Sequence, residues 1–188
     1  GNRRSDADGG SLSNRMRFMR EIIEGLRARC GADKPVGVRL SASEEVEGGL
    51  TLDDTLRIVE TIGTWGTVDY LNITLGVRGR YVKDMSTKHA VAADAAAAIR
   101  RSTDMAVLVG QRVTTPELAE DLLERGAADL VGVNRALFSD PDWPAKAAAG
   151  ATHAIRPCIA CLQDCRNGPP ALNCSVNPET GREGDPTV

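Results

Sequence analysis

Residues 105–134 read MAVLVGQRVTTPELAEDLLERGAADLVGVN, and this stretch decides the fold. It opens and closes on short apolar runs rich in β-branched residues, 105–110 and 128–134, each of a length that suits a buried parallel strand. Between them Thr115 offers an N-cap, Pro116 a first helical position and Gly126 a stop. Strand, helix and strand in about thirty residues make a parallel crossover unit.

The same alternation extends toward the N-terminus. Residues 36–40 (VGVRL) and 68–75 (VDYLNITL) read as two more buried strands. A helix is expected over 11–31, where Leu12, Met16, Met19, Ile23 and Leu26 recur at three- and four-residue steps before Gly31. Others are expected over 51–63, from Thr51 as cap to Gly63, over the alanine-rich 89–102, and over the short 140–150. The order αβαβαβαβ implies a parallel α/β sheet. It suits an open doubly wound sheet or half of an eight-stranded barrel, and the alternation does not choose between them.

The chain has 188 residues, enough for one domain with a buried core. Its 23 Lys and Arg against 26 Asp and Glu give a net charge of -3, which argues against nucleic acid or acidic membrane as partner. No apolar run has the length of a membrane span, and residues 1–10 lack the apolar core of a signal peptide. The expectation is a soluble, cytoplasmic protein.

Four of the five cysteines, Cys158, Cys161, Cys165 and Cys174, follow the spacing C-x2-C-x3-C-x8-C. Such clustering without an export signal favours metal binding over disulfides. Thiolates at these steps can wrap one tetrahedral zinc or cap the corners of an iron-sulfur cube, and the spacing leaves both open. Cys30, at the close of a helix, is expected to be core packing. His89 and His153, the only histidines, are expected to be lone surface or helix-end residues. Asp6 and Asp8 read as turn or capping residues, and Asp140 and Asn177, each before a proline, as turn markers.

Residues 3–23 (RRSDADGGSLSNRMRFMREII) resemble the segment that follows the fourth barrel strand in the Old Yellow Enzyme family of flavoproteins. The resemblance continues in order through 35–41, 68–74, 107–143 and the cysteines, so it spans essentially the whole chain. The cysteines make it similar to the 2,4-dienoyl-CoA reductase and trimethylamine dehydrogenase branch. That branch carries an FMN barrel, a 4Fe-4S cluster and a C-terminal region for FAD and NAD(P)H.

The resemblance implies that residues 1–150 are the C-terminal half of a (β/α)8 TIM barrel and that 151–188 are an iron-sulfur segment. Both ends are expected to lie inside a longer enzyme, which holds the catalytic residues in its missing strands. Gly110, Gln111 and Arg112 would form one lip of the FMN phosphate site. Asn134 and Arg135 would form the other, with Arg135 pairing the phosphate through its planar fork. The family has glycine where Asn134 stands, and asparagine tolerates left-handed backbone. The alternative for Arg135 is a surface pair with Asp140.

Arg39 reads as a buried arginine in an apolar strand, in need of an anionic partner. By resemblance it faces the N1 and O2 edge of the flavin. Arg78, Arg80, Tyr81 and Lys83 follow a strand end and could meet substrate or phosphate. The four cysteines become ligands of the cluster by resemblance, although the last gap is shorter than the family's. The expected activity is that of an FMN and iron-sulfur oxidoreductase, an NAD(P)H-dependent ene or dienoyl reductase acting on a small molecule. An amine dehydrogenase or N-demethylase, a non-catalytic half-barrel and a zinc-binding module are the alternatives. A homo-oligomer or a partner half-barrel is expected.

Overall fold

In the computed structural model, residues 2–77, 79–166 and 172–184 are described. The first helix, α1 (Leu12–Cys30), starts where the Ser11 hydroxyl accepts the Asn14 N–H at 3.2 Å, and it ends at Gly31, whose φ of 81° suits a residue without Cβ. Met16 and Ile23 face the core, whereas Phe18, Ile22 and Leu26 form an exposed stripe. Leu26 and Cys30 therefore do not pack inside as expected, because the buried stripe of α1 is narrower than its apolar pattern.

Then follow β1 (Gly37–Ser41), α2 (Leu52–Gly63), β2 (Tyr70–Thr74), α3 (Ala93–Arg100), β3 (Ala106–Val109), α4 (Pro116–Glu124) and β4 (Leu130–Val131). Thr51 and Asp54 form a capping box on α2, and Thr115 caps α4 with Pro116 in its first turn. α3 begins later than its alanine pattern suggests. Ala90 holds a φ of 45° and its N–H bonds the Arg112 carbonyl at 3.2 Å, so residues 89–92 serve a neighbouring loop. After β4 come α5 (Arg135–Ser139), which the pattern did not announce, α6 (Trp143–Ala148) and one 3-10 turn at Thr152–Ala154. The described residues beyond 154 hold no helix or strand.

All pairings are parallel and the order is β1-β2-β3-β4. Val38, Leu71 and Val107 share one row, and Leu40, Ile73 and Val109 another. These side chains belong to the core with Ile58, Val59 and Ile62 of α2, Ile99 of α3 and Leu122 of α4. The opposite face carries Arg39, Asn72, Leu108 and Leu130, with Arg39 and Leu130 exposed. The strands are thus covered on one face, where the sequence pattern suggested both. An open doubly wound sheet carries helices on two faces, so the arrangement is that of a half-barrel whose inner face lies open.

At the end where the strands begin, one device occurs twice. Asp69, just before β2, accepts the Val36 N–H at 2.6 Å and the Arg27 guanidinium at 2.6 Å. Asp129, just before β4, accepts the Val107 N–H at 2.9 Å and Arg100 at 2.9 Å. In each case a carboxylate ties the start of one strand to the last turn of the helix before that strand. Both carboxyls are held below the usual range, first by the backbone N–H and then by the arginine.

Candidate functional site

The strands finish at the other end, and there the backbone leaves its ordinary regions. After Gly110, Gln111 and Arg112 hold φ values of 65° and 62°, which side-chain-bearing residues adopt at a cost of order 1 kcal/mol each. Three bonds from the Gln111 amide fix the turn: its oxygen accepts the Leu75 N–H at 2.7 Å, and its nitrogen donates to the carbonyls of Leu75 at 2.9 Å and Tyr81 at 2.7 Å. Gly110 is needed for proximity, since a Cβ there would stand 3.1 Å from the Gly132 carbonyl oxygen.

The Arg112 side chain turns inward and is only 8% exposed. One terminal nitrogen donates to the Asp84 carbonyl, the other lies 3.3 Å from His89 Nε2, and the buried Nε has no partner among the described residues. Because a guanidinium only donates, His89 accepts at Nε2, and its Nδ1–H donates to Thr114 Oγ1 at 3.0 Å. His89 is therefore not the lone residue expected. His153 lies exposed in the 3-10 turn.

Arg135, the first residue of α5, donates to the Lys83 carbonyl at 2.8 Å. Arg112 and Arg135 thus reach carbonyls of consecutive residues, and the structure brings together the two cationic side chains expected to meet phosphate. Asn134 precedes α5 with a φ of -134°, so the left-handed tolerance of asparagine is not used. Of the loop after β2, Lys83 is mostly buried and ion-paired with Glu45, Arg80 and Tyr81 are exposed, and Arg78 lies outside the described residues.

Arg39 is exposed, against expectation, because β1 is an edge strand and its row faces the uncovered side of the sheet. Arg39, Thr74, Gly76 and Tyr81 line a cavity of about 250 Å³ at the finishing end of the strands. A flavin fits this donor set: a buried arginine with an unused N–H beside a second arginine suits phosphate, and Arg39 stands over the open face.

The four cysteines Cys158, Cys161, Cys165 and Cys174 line one small cavity of about 20 Å³, together with Arg135, Phe138 and Asp164. None is in a disulfide. Among the described residues, no three of His, Cys, Asp and Glu stand close enough to hold a metal ion, although the four thiols line a common space. Ala160 and Leu162, either side of Cys161, hold φ values of 54° and 57°. The Cys161 thiol is pulled down by the Ser175 hydroxyl and the Gln163 N–H, while burial pushes Cys165 up against the opposing pull of Arg135. Four cysteine thiols around one space are the donor set of a thiolate-bound metal or iron-sulfur group. Much of the loop 166–173 falls outside the described residues.

A buried polar clamp seats this segment on α5. Ser139 Oγ donates to the Arg156 carbonyl at 2.6 Å, and Asp140 accepts the Arg156 N–H at 2.8 Å and Lys146 at 2.6 Å. Asn177 and Thr180 both donate to the Phe138 carbonyl, at 3.0 and 2.6 Å. Asp140 and Asn177 are 3% and 2% exposed, so they are anchors and more than turn markers. The Asp140 carboxyl, held low first by Lys146, belongs to this clamp and does not pair with Arg135. Sequence reading missed α5 and the clamp; a polar residue before proline was their only trace. Asp6 and Asp8 form a surface network with Arg4 and Arg17 that holds the Asp6 carboxyl down to about 2, first through the Arg4 hydrogen bond.

Residues 1–153 match the NADH:flavin oxidoreductase / NADH oxidase family. The chain is 36% identical over 97% of its length to an NADH oxidase of Thermoanaerobacter brockii, of which it covers 29%. Among solved structures, 2-naphthoyl-CoA reductase in complex with 2-naphthoyl-CoA superimposes with a TM-score of 0.90 at 29% identity, over 98% of this chain and 29% of that one. Histamine dehydrogenase from Rhizobium sp. 4-9 does so with a TM-score of 0.86 at 27% identity, over 97% of this chain and 27% of that one. The chain spans less than a third of the length of each of these proteins.

Proposed function

The chain belongs to the NADH:flavin oxidoreductase / NADH oxidase family, and on that premise we propose that it is the C-terminal half-barrel and cysteine segment of an enzyme that holds FMN and a 4Fe-4S cluster. Residues 1–150 supply the half-barrel and 151–188 the cluster segment. The observation that carries the reading is the junction at α5, where the arginine beside the candidate phosphate lip also lines the cavity of four thiols. When bound, FMN supplies two-electron chemistry and the cluster one-electron transfer.

Arg112 and Arg135 hold the flavin phosphate, with Gly110, Gln111 and Asn134 shaping the loops that bring them together. Arg39 stands at the flavin ring, where its charge favours the reduced, anionic form. Cys158, Cys161, Cys165 and Cys174 are the cluster ligands. The overall reaction is reduction of an activated alkene with electrons from NAD(P)H through FAD bound outside this chain. Similarity to a naphthoyl-CoA reductase supports that direction. Similarity to histamine dehydrogenase favours, as second reading, oxidation of an amine with the same cofactors. The open inner face of the sheet is covered by the remaining strands of the barrel.

The test is iron, zinc and acid-labile sulfide content with a visible spectrum on anaerobically purified protein. About four iron and four sulfide per chain are expected, and lost in Cys161→Ser. About one zinc without sulfide would replace the cluster with a structural metal knot.

A further inference from the structure

Arg135 occupies a position that a phosphate ligand alone does not require. It opens α5, and Phe138, three residues on and so on the same side of the helix, lines the thiol cavity with it. Among the described residues, the cavity wall holds one other charged side chain, Asp164, of opposite sign. Arg135 is fixed from behind by the Lys83 carbonyl, and the cysteine segment is fixed to α5 by the clamp of Ser139, Asp140, Asn177 and Thr180. The distance between this cation and the thiols is therefore set by buried hydrogen bonds on both sides.

We infer that Arg135 is a positioning residue with two faces, holding the flavin phosphate on one and raising the reduction potential of the thiolate-bound cluster on the other. This rests on the cofactor reading above. Reduction adds one electron to the cluster, supplied by reduced flavin, with no bond made or broken. A cation held in a partly buried wall stabilises the extra negative charge, and low local polarity strengthens its effect. Asp164, across the same cavity, opposes it. One arginine would thereby couple flavin occupancy to the ease of electron transfer, since a bound phosphate neutralises part of the charge that the cluster feels.

The test uses the full 188-residue chain loaded anaerobically with ferrous iron and sulfide, titrated with dithionite against redox dyes while the visible spectrum is followed. Arg135→Gln should titrate at a lower potential than wild type with unchanged iron and sulfide, Arg135→Lys should stay near wild type, and Arg125→Gln, just after α4, should not move. Equal potentials for Arg135→Gln and wild type at equal cluster content overturn the inference and leave the cofactor reading standing. Should Arg135→Gln not load, Asp164→Asn reads the same field with opposite sign: a raised potential supports the inference and an unshifted one overturns it. A wild-type chain that takes up no cluster overturns the cofactor reading and the inference with it.

Discussion

Where the strands begin, two carboxylates each bind a strand N–H and an arginine; where they finish, a buried arginine keeps an N–H unpaired among the described residues and non-glycine residues hold left-handed backbone. Asp69 and Asp129 repeat one bonding pattern at the first end, with Arg27 and Arg100. Arg112, Gln111, Ala160 and Leu162 break the usual rules at or beside the second. The difference teaches that the two ends answer to different demands. The first is built for stability, the second for something the chain itself does not contain. In α/β barrels chemistry belongs to the carboxyl ends of the strands, and strain gathers where a ligand is to be met.

That contrast can be broken by substitution. The largest effect is expected from Asp69→Ala combined with Asp129→Ala. Each removes an acceptor from a strand N–H and an arginine, and each should cost about 1–2 kcal/mol after allowance for exposure. The two share no partner, so a denaturant midpoint should show near-additive losses. Strong non-additivity would mean that the repeats act as one unit. The same carboxyls give a pH signature. Their folded pKa values are depressed, so their contribution is complete above the unfolded carboxylate value of about 3.9 and is lost as pH falls through the folded values. Between pH 5 and 2 the double variant should lose less stability than wild type; an identical loss would remove these groups from the account.

Next in size is Asn177→Ala, which strips a fully buried donor from the clamp on α5. A cost of about 1–2 kcal/mol is expected, read as faster proteolysis within the cysteine segment while the half-barrel stays intact. Uniform digestion of the whole chain would show that clamp and sheet are one cooperative unit. The smallest effect is expected from Arg112→Met. Replacing a buried arginine that leaves one N–H unpaired should change stability by less than about 1 kcal/mol, while FMN retention by the intact barrel falls. A large loss of stability would move Arg112 to the structural side of the comparison.

Much of the fold could be read from the chain because crossover units carry their own punctuation. Thr51, Thr115, Pro116 and Gly31 act locally, and the caps stand where those residues suggested. Arg39 is exposed in this chain because its row of β1 faces the uncovered side of the sheet, and hydrophobic alternation is silent on which face is covered. His89 is expected to stand alone and Asp140 and Asn177 to mark turns because the partners that bury them, Arg112, Arg156 and Phe138, come from other segments. For the candidate site, the arginines and cysteines were legible as residue types in a spaced pattern. Their meeting at α5 was not, since a five-residue helix leaves almost no periodicity.

The strand order β1-β2-β3-β4 also says how the chain assembles in time. Each strand pairs with the one made just before it, with partners 33, 36 and 22 residues apart at Gly37 and Tyr70, Tyr70 and Ala106, and Leu108 and Leu130. Among the described residues, no strand pairing waits for a distant segment. Loop-closure entropy rises only slowly with loop length, so each crossover can dock as it leaves the ribosome, in order and from the N-terminal side. The clamp on α5 needs residues up to Thr180, so the thiols are gathered after the four strands have paired.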